Sequence, residues 1–107
     1  MGLFDIFRSS DINSLLLKAR EMEDSVIIDV RDPDEFRQGH IPGAINVPVD
    51  NIEIIEKHIN KKDTPIFSYC LSGMRSRRAV SSLTSMGYTD VNNIGGINRY
   101  KGKIERG

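Results

Sequence analysis

The residues best suited to chemistry surround the only cysteine of this 107-residue chain. Cys70 follows the apolar run at 65–69, Gly73 stands three positions later, and Arg75 precedes a run with helical periodicity. A residue at the carboxyl end of a buried strand lies where open α/β sheets place their ligand sites. The turn after it leads into a helix N-terminus, whose unpaired N–H groups and positive dipole end attract anions. The spacing therefore predicts a thiol held in an anion-binding loop.

A thiol in such a loop should ionise readily, because the helix N-terminus and a nearby cation both stabilise the nucleophilic thiolate. Gly73 allows the backbone to turn tightly, and Arg75 supplies a permanent cation with several donors. We therefore predict Cys70 and Arg75 as the catalytic residues. The predicted cradle around the sulfur consists of Leu71, Ser72, Gly73, Met74, Arg75 and Ser76. The competing interpretation is a buried structural cysteine, the commoner role of a lone cysteine.

Other catalytic or metal-binding patterns are not recognisable. His40 lies in the turn GHIPG and His58 on an amphipathic segment, so both are expected to be structural or solvated. Two scattered histidines and one cysteine provide no metal-ligand spacing, and no Ser-His-Asp or Cys-His arrangement is evident. We therefore expect no metal site.

Four short segments have the composition of β-strands. SVIIDV at 25–30 and PIFSY at 65–69 are rich in β-branched and aromatic residues, whereas AINV at 44–47 and DVNNI at 90–94 are weaker. Strict alternation of apolar and polar residues is nearly absent, as is typical of strands buried on both faces.

Helical segments lie between these strands. An apolar stripe over residues 12–22 follows Ser10 or Asp11 as a cap, and a second stripe over 79–86 ends at Gly87. Capping boxes are further predicted from Asp32 to Glu35 and from Asp50 to Glu53. Strands alternating with helices indicate an α/β fold with a parallel sheet covered by helices.

The composition indicates one soluble globular domain. Hydrophobic residues make up 38% and charged residues 28% of a chain with no net charge. Residues 1–69 carry eight Lys/Arg and thirteen Asp/Glu, whereas residues 70–107 carry seven Lys/Arg and two Asp/Glu. Cys70 is the first residue of the part with net positive charge, which could attract small anions. Long basic runs, bilayer-spanning apolar runs and a signal peptide are not evident, so we expect a cytoplasmic protein without nucleic-acid binding or stable membrane insertion.

The cysteine loop, together with VIIDVRDPDEFRQGHIPGAINVP at 26–48, resembles the single-domain rhodanese family of sulfurtransferases. The matching motifs are Asp29-Val30-Arg31, Glu35-Phe36, Gly39-His40-Ile41-Pro42-Gly43-Ala44, Asn46, the six-residue loop Cys70 to Arg75, Met86-Gly87-Tyr88 and Asn93-Ile94-Gly95-Gly96. The resemblance implies a three-layer sandwich around a mainly parallel sheet. It covers residues 10–107 as one domain and leaves residues 1–9 as an N-terminal extension.

The resemblance also implies a mechanism, in which Cys70 takes sulfur from a donor such as thiosulfate and passes it from a persulfide to a thiophilic acceptor. It implies no cofactor beside this covalent persulfide. Asp29 is expected to support the site, and Arg31 with Glu35 to form a structural ion pair placed by a short helix at 33–37. The expected partners are small sulfur anions or thiols, and a donor or acceptor protein. Leu71 replaces the polar or basic residue that is frequent in this family, which brings thiosulfate preference into question.

Other functions remain open at this point. Cys-Arg loop phosphatases and arsenate reductases typically have a Cys-x5-Arg loop and a general acid, whereas this loop is one residue shorter. A non-catalytic binding module of the same fold would usually lack the cysteine. A sulfur carrier would share the persulfide on Cys70 and differ only in its partners.

Overall fold

Four parallel strands form the central sheet of the part of the chain that the computed structural model describes, residues 11–107. They are β1 (Val26–Asp29), β2 (Ile45–Asn46), β3 (Ile66–Cys70) and β4 (Val91–Gly96), in the order β2-β1-β3-β4. Every pairing is parallel, so the predicted parallel sheet is confirmed. The extension predicted at 1–9 and the alternative cap Ser10 lie outside the described residues.

Helices cover both faces of this sheet, which confirms the predicted three-layer α/β sandwich. The α-helices are α1 (Ile12–Glu21), α2 (Pro33–Gln38), α3 (Ile55–His58) and α4 (Met74–Ser85), and two 3-10 helices span Val49–Ile54 and Ile97–Arg99. Within residues 11–107, no helix has the length and apolar character needed to cross a bilayer.

The core is divided by the sheet into two clusters, because successive side chains of a strand point to opposite faces. Cys70 packs with Ala79 and Leu83 of α4 on one face. Tyr69, its neighbour in the chain, packs with Ile12 and Leu16 of α1 on the other face. All five residues of β3 are buried, as expected for a central strand without alternating polarity.

Local capping explains where several helices begin and end. Asp11 caps α1 by accepting hydrogen bonds from the N–H groups of Asn13 and Ser14. Glu35 accepts the N–H of Asp32 at 3.1 Å, as predicted for the start of α2. Helix α4 is closed after Met86 by the N–H of Tyr88 donating to the carbonyl of Leu83 at 3.1 Å, with Gly87 in the left-handed conformation.

The capping box predicted from Asp50 to Glu53 is wrong. Residues Val49–Ile54 form a 3-10 helix that follows Pro48, without a side-chain cap and with a kink at Asn51. The Asp50 carboxylate instead pairs with Arg78 of α4, so this acid joins two elements rather than starting a helix.

Candidate active site

Cys70 is the last residue of the central strand β3 and begins the loop that leads into α4. Its side chain is buried, with 1% of the residue exposed. The N–H of Gly73 donates to the Cys70 sulfur at 3.0 Å. Gly73 occupies the cap position of α4 with φ of 104°, a conformation that glycine adopts without steric cost. The loop therefore curls back so that its backbone presents a donor to the sulfur, as the sequence predicted.

Strand β4 and the residues after it hold the loop backbone from the other side. The N–H of Asn98 donates to the carbonyl of Leu71 at 3.2 Å, and the Asn93 side-chain amide donates to the carbonyl of Gly73 at 3.2 Å. Gly96 is the register partner of Cys70, and a Cβ at this glycine would lie 2.1 Å from the Leu71 carbonyl oxygen. These contacts bind two loop carbonyls to β4 and the 3-10 helix. Asn93 and Asn98 were not identified from the sequence as loop supports, although Asn93 precedes the double glycine of the motif.

The six predicted cradle residues differ in exposure, and Gly73 and Arg75 are half-buried. Leu71 and Met74 are exposed by 48% and 71%, so apolar side chains stand on the open side of the loop. Ser72 is also exposed. Ser76 is fully buried, and its hydroxyl hydrogen-bonds to the carbonyl and the hydroxyl of Ser68 in β3, at 2.8 Å each. The Ser76 hydroxyl therefore anchors α4 to the sheet and does not contact the sulfur.

Arg75 makes a two-pronged ion pair with Glu35. Its Nη1 and Nη2 atoms lie 2.6 and 3.0 Å from the two carboxylate oxygens. The hydrogen bond from Arg75 lowers the pKa of Glu35, and the reciprocal bond from Glu35 raises the pKa of Arg75. Among the smaller contributions to the raised pKa of Arg75 is an electrostatic one from Cys70. The pair also fastens the start of α4 to α2.

The predicted ion pair between Arg31 and Glu35 is wrong. Arg31 folds back onto Asp29, with Nη2 and Oδ2 2.7 Å apart and Nε 3.0 and 3.1 Å from the two oxygens. Its Nη2 also donates to the carbonyl of Gly39 at 2.7 Å. Two residues four positions apart form a pair when both lie on one helix. Helix α2 starts at Pro33, so Arg31 is not on the helix and does not share a face with Glu35.

Asp29 is the centre of a buried polar cluster at the end of β1. It is fully buried, accepts the backbone N–H of Arg31 at 2.9 Å and lies beside Tyr69, its register partner in β3. Burial raises the pKa of Tyr69, and the charge of Asp29 raises it further, so the phenol stays protonated. The Tyr69 oxygen in turn accepts the N–H of Ile41 at 3.0 Å. Through Arg31 and Tyr69, Asp29 thus connects the end of β1 to the turn after α2.

The histidines take no part in this site. His40 is buried, stacks on Phe36 with ring centroids 3.7 Å apart and places Nδ1 2.8 Å from the Phe36 carbonyl. His58 is exposed on α3. In the described part of the chain, no three His, Cys, Asp or Glu side chains are grouped as a metal site would require.

Taken together, the site can perform nucleophilic chemistry at one sulfur atom. A backbone N–H already points at the Cys70 sulfur, and a cation stands at the end of the loop. Preorganised donors of this kind stabilise an anion that forms at the sulfur or is attached to it. The loop from Cys70 to Arg75 is one residue shorter than the Cys-x5-Arg loop typical of phosphatases.

Comparison with known proteins agrees with this geometry. A family model described as the rhodanese-like domain matches residues 13–103. YqhL of Bacillus subtilis (strain 168) is 40% identical over 80 residues, which are 74% of this chain and 63% of that protein. The thiosulfate sulfurtransferase PspE of Escherichia coli (strain K12) is 41% identical over 71 residues, which are 65% of this chain and 68% of that enzyme.

A solved structure has the same fold. The structure of a rhodanese with anions from E. coli superposes with a TM-score of 0.72 at 36% identity, covering 78% of this chain and 99% of that one. The family model spans most of the chain, and the cysteine loop lies within it. The chain belongs to the rhodanese family.

Proposed function

We propose that this chain is a sulfurtransferase that carries sulfane sulfur as a persulfide on Cys70. The observation that carries the proposal is the position of the Cys70 sulfur, which ends β3 and receives the Gly73 N–H at 3.0 Å at the start of α4. A structural cysteine would need no such donor. The name of the relative PspE supports thiosulfate as a donor class.

The proposed reaction begins when the Cys70 thiolate attacks the outer sulfur of thiosulfate. A bond forms between the two sulfur atoms, the sulfur–sulfur bond of thiosulfate breaks, and sulfite leaves with the electron pair. The product, Cys70–S–S⁻, carries its charge on the outer sulfur. In the second step an acceptor thiolate or cyanide attacks that outer sulfur and the electron pair returns to Cys70. Both steps conserve charge and need no redox partner or cofactor.

Three features of the site favour these steps. The N–H groups of the loop stabilise the anionic persulfide, as donors do for any developing anion. Arg75 adds positive charge close to Cys70, while its bond to Glu35 keeps the start of α4 in position. Asp29 and Arg31 act at a distance by holding the end of β1 beside the loop.

A phosphatase or arsenate reductase is the less favoured reaction. Those enzymes need a general acid for the leaving oxygen, and two carboxylates at this end of the sheet are already engaged by arginines. Asp29 is paired with Arg31, and Glu35 with Arg75.

The test compares two activities of the purified chain. We expect thiocyanate release from thiosulfate and cyanide by the wild type, and no hydrolysis of p-nitrophenyl phosphate. Cys70→Ala should fold normally and release no thiocyanate. Thiocyanate release by Cys70→Ala near the wild-type rate would contradict the assignment, and phosphate release that depends on Cys70 would favour the alternative reaction.

A further inference from the structure

One asparagine of β4 connects the edge of the sheet to the glycine that donates to the Cys70 sulfur. The Asn93 side-chain amide donates to the carbonyl of Gly73 at 3.2 Å, and its oxygen accepts the N–H of Gly95 at 2.9 Å. Both ends of this exposed side chain are therefore bonded, which fixes its orientation. The steps proposed for Cys70 give Asn93 no part.

Asn93 stands at an irregularity in the pairing of β3 with β4. Ser68 is the register partner of Asn93 and Tyr69 that of Gly95, so Ile94 is an extra residue on the β4 side. Gly95 has φ of 103°, and the Asn93 oxygen accepts its N–H across this bulge. Bulges often lie next to active sites, where they re-aim a side chain. Here the bulge directs the Asn93 amide towards the cysteine loop.

The loop glycine lies against this bulge. A Cβ at Gly73 would be 3.5 Å from the Cα of Gly95, so the two backbones are in close contact. The Gly73 carbonyl accepts both the Asn93 amide and the N–H of Arg77, the latter at 3.0 Å. The N–H of the same glycine donates to the Cys70 sulfur at 3.0 Å. Because glycine otherwise has the widest choice of backbone conformations, the bonds to its carbonyl oppose a rotation that would turn its N–H away from the sulfur.

The charge on the Cys70 sulfur changes in opposite directions in the two proposed steps. During loading, the thiolate gives its electron pair to the new sulfur–sulfur bond, and its own sulfur atom becomes neutral. During discharge, the acceptor forms a bond to the outer sulfur, the sulfur–sulfur bond breaks, and the electron pair returns to the Cys70 sulfur. A donor aimed at this atom therefore stabilises the transition state of discharge, where charge builds up on it, more than the transition state of loading.

We propose that Asn93 is a positioning residue for sulfur discharge, because it holds Gly73 so that the glycine N–H meets the negative charge returning to the Cys70 sulfur. The inference rests on the proposed persulfide and adds the step to which β4 contributes. Asn93 acts through Gly73, whose carbonyl it binds and whose N–H reaches the sulfur. The motif from Asn93 to Gly96 thereby has a part in the reaction as well as in the sheet.

Single-turnover measurements separate the two steps. Loading is followed by intact mass as the gain of one sulfur from excess thiosulfate, at a pH where the rate of each protein has stopped rising with pH. The loaded protein is then freed of donor and mixed with excess cyanide, and discharge is followed as the release of thiocyanate. For each step, the variant rate is divided by the wild-type rate, and the free energy of unfolding in urea is measured for every variant.

Two variants of Asn93 are compared with a matched control. Asn93→Ala removes both bonds of the side chain, whereas Asn93→Asp keeps an oxygen for the N–H of Gly95 and removes the donor to Gly73. Asn92→Ala is the control, because the neighbouring asparagine of the same strand donates to the carbonyl of Ile66 at 3.2 Å rather than to the loop. Asn93→Asp is also measured at about 1 M salt, where charge interactions are screened over about 3 Å.

We expect Asn93→Ala and Asn93→Asp to slow discharge about tenfold, the size expected when a hydrogen bond to a charged atom is weakened, and to change loading less than about twofold. The slower discharge of Asn93→Asp should persist at high salt, because it comes from the missing donor rather than from the added charge. Asn92→Ala should change neither rate, even though it removes a bond within the sheet and lowers stability.

Other results would overturn this inference. Slowing of loading as large as that of discharge would indicate general damage to the loop, and unchanged discharge in Asn93→Asp would show that the bond to Gly73 is not needed. In both cases the persulfide gained by the wild type would leave the proposed function intact. If Asn93→Ala lacks a cooperative unfolding transition, Asn93→Asp decides between these outcomes. Failure of the wild type to gain sulfur from thiosulfate or from a polysulfide would overturn both the proposed function and this inference.

Discussion

At the scale of single residues, the proposed chemistry depends on one sulfur atom and on the charge placed near it. Cys70 is buried, whereas Leu71 and Met74 of the loop that follows it are exposed. Arg75 lies in the first turn of α4, and both Nη atoms of its guanidinium group already bond to Glu35. The proposed function therefore gives the arginine two roles, a nearby positive charge and a brace between helices.

Replacing Arg75 separates these two roles. Arg75→Lys keeps the charge but cannot form both bonds to Glu35, so the initial rate of persulfide formation from thiosulfate should fall about tenfold, and Arg75→Ala should be slower still. Arg78→Lys is the matched control, because Arg78 forms an exposed ion pair with Asp50. A rate for Arg75→Lys equal to the wild-type rate would show that only the charge matters.

Asp29 is predicted to act on stability. Asp29→Ala would leave the buried Arg31 without its carboxylate partner, and breaking a buried pair in this way costs about 3–5 kcal/mol. Urea unfolding should show this loss, and the double variant Asp29→Ala/Arg31→Ala should lose less than the sum of the single variants. An unchanged free energy of unfolding with abolished sulfur transfer would argue for a direct catalytic role of Asp29.

Leu71 is expected to limit the use of thiosulfate. Its exposed side chain offers no charge to an anion, so Leu71→Arg should lower the thiosulfate KM with little change in kcat, because ground-state attraction adds uniform binding. The gain should shrink with added salt, since charge attraction is screened over about 10 Å at 0.1 M. An identical KM at low and high ionic strength would show that thiosulfate does not pass close to this residue.

At the scale of elements, the loop depends on β4 as much as on the strand and helix that it connects. Gly96 lets the Leu71 carbonyl approach so closely that any side chain would collide with it. The Asn98 N–H and the Asn93 amide then hold the carbonyls of Leu71 and Gly73. Displacing β4 from the loop should therefore damage the site without touching Cys70.

Gly96→Ala tests this dependence. Its Cβ would lie 2.1 Å from the Leu71 carbonyl oxygen, so the loop must shift, and persulfide formation should slow by about tenfold to a hundredfold. Gly39→Ala is the control, because its Cβ meets only the Ile104 side chain, at 2.8 Å. Both variants should lose stability, and only Gly96→Ala should lose rate. Equal rates for the two variants would exclude a role for the close approach.

The Glu35–Arg75 pair joins α2 to α4, and its contribution should depend on pH. The folded-state pKa of Glu35 is lowered, so the pair stabilises the protein above the unfolded-state pKa, about 4.3, and this stability is lost as the pH falls through the folded-state pKa. Urea unfolding at pH 7 should show Glu35→Gln less stable by about 1 kcal/mol, a modest value for a part-exposed pair. At pH 3 the difference from wild type should be smaller. A difference that grows toward low pH would contradict this assignment.

At the scale of the whole molecule, the sheet separates two cores, and the cysteine loop follows the carboxyl end of its central strand β3. Cys70 belongs to the core beneath α4, whereas Tyr69 belongs to the core beneath α1. A cleft beside the loop is bounded by α1, β4 and the 3-10 helix after it, so elements from both ends of the described chain meet there.

The strands and the cysteine loop could be predicted because their signals are local. Apolar runs such as SVIIDV give a strand wherever a sheet can bury them, and glycine after a strand-ending cysteine forms a tight loop. The partners of Arg31, Glu35 and Arg75 could not be predicted, because several charges were within reach and only the folded backbone selects among them. Asn98 was missed because it supports the loop through its backbone N–H, which has no signature in the sequence.

The most direct test of the persulfide is the intact mass of the protein after incubation with thiosulfate and removal of the donor. The wild type should gain one sulfur atom, release one equivalent of sulfite, and return to its original mass after cyanide is added. Cys70→Ser should gain none. An unchanged wild-type mass with both thiosulfate and a polysulfide, or the same added sulfur on Cys70→Ser, would contradict sulfur transfer through Cys70.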